Sequence, residues 1–251
     1  MRAADAPLAR AAALRETRTA PLCCSPPGRL GTLSGPRPRA PATGAPKVTR
    51  LPPLPRTRDN HARSVPLRWV EDADHYDVIV EALSRANVSL WIATANLKDV
   101  RLEAPIGSAA RARRRYVSIA ERFEELLARG VELRVLHGGV PSQPFREALG
   151  KRARLSPAST WLRQCPRVHL KMVAVDGADL YLGSANLTGA GMGAKGAGRR
   201  NFELGVRTSD HVMLDAAQRR FDRIWRGGEC GACRLRATCP GPLDEPPSAR
   251  R

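Results

Sequence analysis

The sequence predicts an α/β fold, a β-sheet sandwiched between helices. Buried-strand runs alternate with amphipathic helical stretches from residue 66 onward, and an Asp-Gly turn joins two apolar runs into a hairpin. Residues 71–86 carry Tyr76, Val78, Ile79 and Leu83 at helical spacing, and residues 88–95 (VSLWIATA) read as a buried strand. A long polar connection, 96–115, holds Arg111, Arg113, Arg114 and Arg115. An amphipathic helix over 116–128 follows, closed by Gly130 as its C-terminal cap. A second strand is expected at 131–136 and a short helix at 144–152. Met172, Val173, Ala174 and Val175 form a strand, Asp176-Gly177 turns it, and Leu180-Tyr181-Leu182 begins the return. A strand over 202–208 leads to Asp210, which caps a last helix ending at Trp225. Val212, Leu214, Phe221, Ile224 and Trp225 are that helix's apolar positions.

Composition divides the 251 residues into three parts. The first 65 are rich in Pro, Ala and Arg, with eleven prolines, twelve Lys or Arg and three acidic groups, Asp5, Glu16 and Asp59. Lacking apolar periodicity, this segment cannot bury enough surface to offset chain entropy and is expected to be disordered. Residues 66–228 suffice for one α/β core, and 229–251 form a Cys-rich tail. The net charge of +18 divides into +9 for the first 65 residues and +9 for the rest, so the folded part itself favours a polyanionic partner. No stretch approaches the ~18 apolar residues of a membrane-spanning helix. The Arg-rich, acid-poor start has a faint transit-peptide character, and a start codon assigned too far upstream would also account for it. A cytoplasmic protein is the expectation.

The window from His169 to Asn186 concentrates the chemistry. It reads His169-Leu170-Lys171, Asp176, then Gly183-Ser184-Ala185-Asn186. His169 and Lys171, two apart, share one face of a strand. The strand–turn–strand unit brings them toward Ser184 and Asn186, so a nucleophile, a cation and two small polar donors outline a phosphate site.

This pattern resembles the signature of the phospholipase D superfamily, the HKD motif, and Asn201-Phe202-Glu203 resembles the family's downstream Asn-x-Glu element. The likeness extends over about 66–228. It implies a mixed β-sheet sandwiched by helices, with one catalytic half-site per chain, since a single motif is present where many members carry two. Single-motif members pair as homodimers. By the same resemblance His169 attacks phosphorus to form a phosphohistidine, and His169 of the other protomer protonates the leaving oxygen. Lys171 and Asn186 hold non-bridging phosphate oxygens, Ser184 donates to the phosphate or to a neighbouring motif residue, and Gly183 lets the backbone pass close by. Glu203 holds the non-attacking nitrogen of His169. Asp176 enters the catalytic set by resemblance, though its place in the turn points to backbone bonding. No cofactor is implied for catalysis.

The implied activity is a metal-independent phosphodiesterase, a nuclease on DNA or RNA acting as a homodimer. Phospholipid hydrolysis is the rival; no amphipathic membrane helix is evident, although a polybasic tail binds anionic lipid. A catalytically silent nucleic-acid-binding module is the alternative from another class, and it has no use for His169. The glycine-rich insert 189–200, with Lys195, Arg199 and Arg200, suits either gripping a substrate backbone or an ordinary solvated loop, as does the Arg111–Arg115 run.

Cys23 and Cys24 lie in the first segment and read as incidental. Cys230, Cys233 and Cys239 follow the last helix with Cys-x2-Cys-x5-Cys spacing, which in an intracellular chain suits a metal better than a disulfide. Cys165 is the fourth candidate ligand, about 13 Å from His169 if the chain between them is extended. Zinc and an iron–sulfur cluster are both compatible, and free structural thiols are the alternative.

Overall fold

Alternation along the strands decides which side chains meet which helices. In the computed structural model, which describes residues 63–104 and 106–245, nine strands and five helices run in the order β1 (Arg68–Glu71), α1 (Asp74–Arg85), β2 (Ser89–Thr94), β3 (Arg101–Glu103), α2 (Ala109–Ala112), β4 (Tyr116–Ser118), α3 (Ile119–Ala128), β5 (Glu132–His137), α4 (Gln143–Gly150), β6 (Leu162–Gln164), β7 (Met172–Val175), β8 (Asp179–Gly183), β9 (Leu204–Thr208) and α5 (His211–Trp225). Seven strands form one sheet in the order β1-β9-β8-β7-β2-β5-β6, and β3 and β4 form a separate pair. The pairings of β5 with β2 and of β6 with β5 are parallel, and every other pairing in the large sheet is antiparallel. The sheet is therefore mixed, as the resemblance implied.

Leu90 and Ile92 of β2, Val173 and Val175 of β7, and Tyr181 of β8 pack with Val78, Leu83, Phe123 and Phe145, from α1, α3 and α4. The intervening Ala93, Met172, Ala174 and Leu180 pack on Leu214, Phe221, Ile224 and Trp225 of α5. This period of two assigns one helix-covered core to each face. Ser118 caps α3, its hydroxyl accepting from Ala120 N–H at 3.1 Å, and Gly130 follows the helix at φ +79°. Asp210 caps α5 by accepting from Met213 N–H at 2.8 Å. At the hairpin tip Asp176 and Gly177 both have positive φ, and Ala178 N–H reaches Val175 O at 2.9 Å, the mirror-image turn that Asp-Gly favours.

Two expected helices start late, and one further strand was not anticipated. The helix expected over 71–86 starts at Asp74, because the preceding residues form edge strand β1, whose one inward side chain, Val70, leaves no visible period. The helix expected over 116–128 loses its first three residues to β4, which pairs with β3 inside the polar connection. Strand β6, with all three residues only half-buried, gave no periodic signal. The expectation of a disordered first segment lies outside the described residues except at 63–65, where Arg63 pairs with Asp210. Among the described residues no helix is long and apolar enough to cross a membrane.

Arg207 on β9 fastens α1 to the hairpin, binding Glu81 at 2.6 Å and Asp179 at 2.8 Å. Hydrogen bonds from Arg207 and then Arg85 draw the Glu81 carboxyl from its ordinary 4.5 down to about 2. A depressed carboxylate pKa adds stability above the unfolded value, and that stability is lost as pH falls through the folded one. The stability gap between wild type and Glu81→Gln should thus hold steady above about pH 5 and close as pH falls toward 2, read by urea unfolding across pH. A gap independent of pH would refute the linkage.

Candidate active site

The site is built where strand ends of opposite sense converge. β7 runs antiparallel to β2 with Ala93 opposite Met172, so the start of β7 lies beside the end of β2. β8 returns antiparallel with Leu182 opposite Met172, and Gly183 N–H donates to Lys171 O at 3.1 Å. β9 begins beside it, Ser184 N–H donating to Leu204 O at 2.9 Å. One edge of the sheet therefore gathers His169, Lys171, Ser184, Asn186 and Glu203.

His169 is exposed, while Lys171 behind it is only 9 % exposed. Lys171 Nζ lies 3.0 Å from His169 Nδ1 and 3.2 Å from Nε2, and donates to His169 O at 2.9 Å. Burial pushes the Lys171 ammonium below its ordinary pKa, and the nearby Glu203 carboxylate opposes that shift. Glu203, 8 % exposed, accepts from Ser184 Oγ at 2.5 Å and from Asn201 Nδ2 at 3.0 Å. Ser184 Oγ in turn accepts from Leu204 N–H at 3.0 Å. Asn186 Oδ1 accepts from Ala95 and Asn96 N–H, both at 3.1 Å. With its carbonyl end occupied, the amide Nδ2 is the donor left for a ligand.

Two assignments of the catalytic set change. Glu203 makes no hydrogen bond to His169; its two oxygens are taken by Ser184 and Asn201, so it orients the serine. Asp176 lies at the opposite end of β7 from His169 and Lys171. Its carboxylate accepts from the N–H groups of Asn87 (3.0 Å), Val88 (2.8 Å) and Ser89 (2.8 Å). Burial alone would raise its pKa, yet these three bonds hold it below the ordinary value. Asp176 pins the hairpin to the start of β2.

The insert after Asn186 is partly packed. Met192 is buried, Asn201 N–H closes on Ala190 O at 3.1 Å, and a Cβ on Gly191 would meet Asn186 O at 2.6 Å. Lys195 and Arg199 are exposed and Arg200 is half-buried. Gly193 and Ala194 line a cavity of about 260 Å³ with Arg101 and Tyr116, at the base of the arginine run. Beyond it a cavity of about 390 Å³ is walled by Glu103, Arg111, Arg114, Arg115 and Tyr116. The insert and the arginine run thus flank neighbouring hollows.

Sequence reasoning missed several supports. Thr94, buried at the end of β2, accepts from Leu187 N–H at 3.0 Å and donates to Asn96 O at 2.8 Å, holding the Asn186 loop. A Cβ on Gly138 would lie 2.4 Å from Val168 O, the residue before His169; the Gly138-Gly139 pair was the available signal. Gly183 has a further reason to be glycine, since a Cβ there would lie 2.2 Å from the Tyr181 hydroxyl. That hydroxyl bonds His75 Nδ1 at 2.8 Å.

Cys165, Cys230, Cys233 and Cys239 are all free and line one cavity of about 30 Å³. Among the described residues, no group of three or more His, Cys, Asp or Glu side chains is spaced to hold a metal ion as it stands. Val168 N–H bonds Cys165 O at 2.8 Å, so the chain turns between Cys165 and His169, and the 13 Å expected for an extended chain does not apply.

A family model described as "Cardiolipin synthase, PLD-like domain" matches residues 79–225. No protein of curated function matches the sequence. Among solved structures, similarity is found to Nuc from Salmonella typhimurium, a phospholipase D family member, and to NucT from Helicobacter pylori. Each is 15 % identical with a TM-score of 0.45, over 64 % of this chain and 95 % of theirs. TrmBL2, an archaeal chromatin protein, is 15 % identical with a TM-score of 0.40, over 67 % of this chain and 55 % of its own.

Replacing Asp176 with Ala should strand three N–H groups and cost about 1–3 kcal/mol of stability. Whatever activity the chain has should be unchanged per folded molecule. Activity lost at unaltered stability, measured by paired denaturation and turnover, would return Asp176 to the catalytic set.

Proposed function

The chain belongs to the phospholipase D-like family, and on that premise we propose that it is a metal-independent phosphodiesterase, a nuclease working through a phosphohistidine on His169. The observation that carries this is the convergence of His169, Lys171, Ser184 and Asn186 on one sheet edge. An exposed imidazole backed by a nearly buried ammonium is suited to attack a phosphodiester. Lys171 and the Asn186 amide receive the charge growing on the non-bridging oxygens. The Lys171 ammonium lies against the imidazole edge, 3.0 Å from Nδ1 and 3.2 Å from Nε2, so cation and nucleophile face the same ligand position. Glu203 fixes Ser184, so the hydroxyl is a positioned group rather than a free rotor.

One motif supplies one imidazole, and a leaving oxygen needs an acid as well. We assign that acid to His169 of a second copy. An apolar surface supports pairing beside the site: Phe202 is 96 % exposed, Trp69 58 %, Leu67 52 % and Leu204 52 %. Trp69 is registered with Val206, two residues from Leu204, so these side chains share the face of the β1–β9 end that α5 leaves uncovered.

A polynucleotide is the favoured substrate. The exposed Lys195 and Arg199 and the Arg111–Arg115 run give sequence-independent grip on a phosphate backbone. The family's lipid-acting membership favours a phospholipid diester as the second reading.

Purified protein in excess chelator should cleave an activated phosphodiester and plasmid DNA, with DNA cleavage falling steeply between about 50 and 200 mM salt. His169→Ala should lower turnover about 10³-fold or more with the fold intact. Liposome hydrolysis exceeding DNA cleavage would replace the substrate. No turnover by folded wild type, with DNA binding retained in His169→Ala, would favour the silent binding module. A monomer at micromolar concentration would remove the second imidazole and the mechanism with it.

A further inference from the structure

We propose that Cys165, Cys230, Cys233 and Cys239 form a structural zinc site that clamps the C-terminal segment onto the turn leading to His169. The four are all of the cysteines among the described residues, they come from two separate chain segments, and all four line a single cavity. Convergence of this kind is hard to attribute to packing alone, because free thiols gain nothing from one another's company.

Backbone amides two residues further on, those of Arg167 and Leu235, face the Cys165 and Cys233 sulfurs. An N–H aimed at sulfur offsets thiolate charge, the role outer-shell donors play in metal sites. Both cysteines open tight turns, Val168 N–H reaching Cys165 O at 2.8 Å and Arg236 N–H reaching Cys233 O at 3.0 Å. Cys233 N–H also bonds Cys230 O at 3.1 Å, folding the Cys-x2-Cys pair back on itself. Four thiolates around a dication leave two negative charges. The Arg167 guanidinium stands beside Cys233 and offsets part of that excess, while Arg236 on the cavity wall is paired with Asp244 and Glu245.

The ligands select the occupant: four thiolates from a Cys-x2-Cys-x5-Cys segment and Cys165 suit zinc, and the iron and sulfide assays below separate it from an iron–sulfur cluster. Zinc takes four thiolates tetrahedrally at about 2.3 Å. The four side chains are not spaced as a closed ligand set, so binding draws them inward from the cavity rim. Cys165 and Cys230 also pack against the α5-side core with Leu243, Val168 and Trp225. A zinc there would couple the C-terminal segment to the residue preceding His169. It takes no part in the chemistry.

Full-length protein, purified without added metal, should carry about one zinc per chain by elemental analysis. Cobalt exchanged into it should show the thiolate-to-metal charge-transfer absorption and strong visible bands of a tetrahedral all-sulfur site. Cys165→Ser and Cys233→Ser should lose the zinc, while a Cys23→Ser/Cys24→Ser variant keeps it. If the serine variants do not fold, blocking wild-type thiols with a mercurial should release one zinc per four described thiols, read with a chromophoric indicator. Iron with acid-labile sulfide would overturn zinc. Zinc retained in folded Cys165→Ser would overturn the four-cysteine set. Wild type with neither zinc nor cobalt uptake would overturn the site. Zinc content is read on the preparation before chelator is added for the cleavage assay, so failure of the metal site and failure of the phosphodiesterase reading are told apart.

Discussion

The antiparallel pairing of β7 with β2 is the constraint on which the site depends. It joins a parallel half of the sheet, β2-β5-β6, to an antiparallel half, β7-β8-β9-β1. Parallel strands present their C-terminal ends along one edge, the place where open α/β sheets bind ligands. The reversal at β7 brings a strand beginning to that same edge. His169 and Lys171 therefore stand beside the loops that leave β2 and β8, carried by strand ends rather than by long mobile loops. Because strand side chains alternate, a slip of one residue between β7 and β2 would turn both to the other face. Asp176 opposes that slip by holding three successive N–H groups at the far end of the same seam.

Electrostatics at the edge follow from depth. Lys171 and Glu203 are both nearly buried, and each alone would carry a heavy desolvation cost. Set near one another, with Ser184 and Asn201 satisfying the carboxylate, they lower that cost while keeping a cation behind an exposed imidazole. The arrangement is preorganised: the ammonium already touches the ring of His169.

The elements legible in the sequence were those with long period or strong punctuation. The buried run of β2, the Asp-Gly hairpin and the Asp210-capped α5 fall where patterning puts them. β1, β3, β4 and β6 were not legible, because strands of three or four residues carry too few alternations to rise above their neighbours. At the site, motif spacing made the grouping of His169, Lys171, Ser184 and Asn186 at the open end of the hairpin legible. It could not assign the partner of Glu203, since that depends on how Asn201 and the packed insert return the chain to Ser184. Thr94 was illegible for a related reason: its role arises from contacts with residues far away in sequence and breaks no local pattern, while the Gly138-Gly139 pair signals a close approach without saying that Val168 makes it.

A covalent bond from His169 to phosphorus is what would distinguish a nucleophile from a residue merely near a phosphate. The direct measurement is to quench the protein during turnover of a phosphodiester at neutral or alkaline pH, where phosphohistidine survives, and to map the adduct by peptide mass spectrometry. Nucleophilic attack by His169 predicts an adduct on His169 alone, a phosphate that keeps one ester group once the leaving alcohol has departed, absent in the alanine variant and more abundant when the second step is slowed. Turnover with no adduct on His169, or with an adduct on another residue, would contradict it.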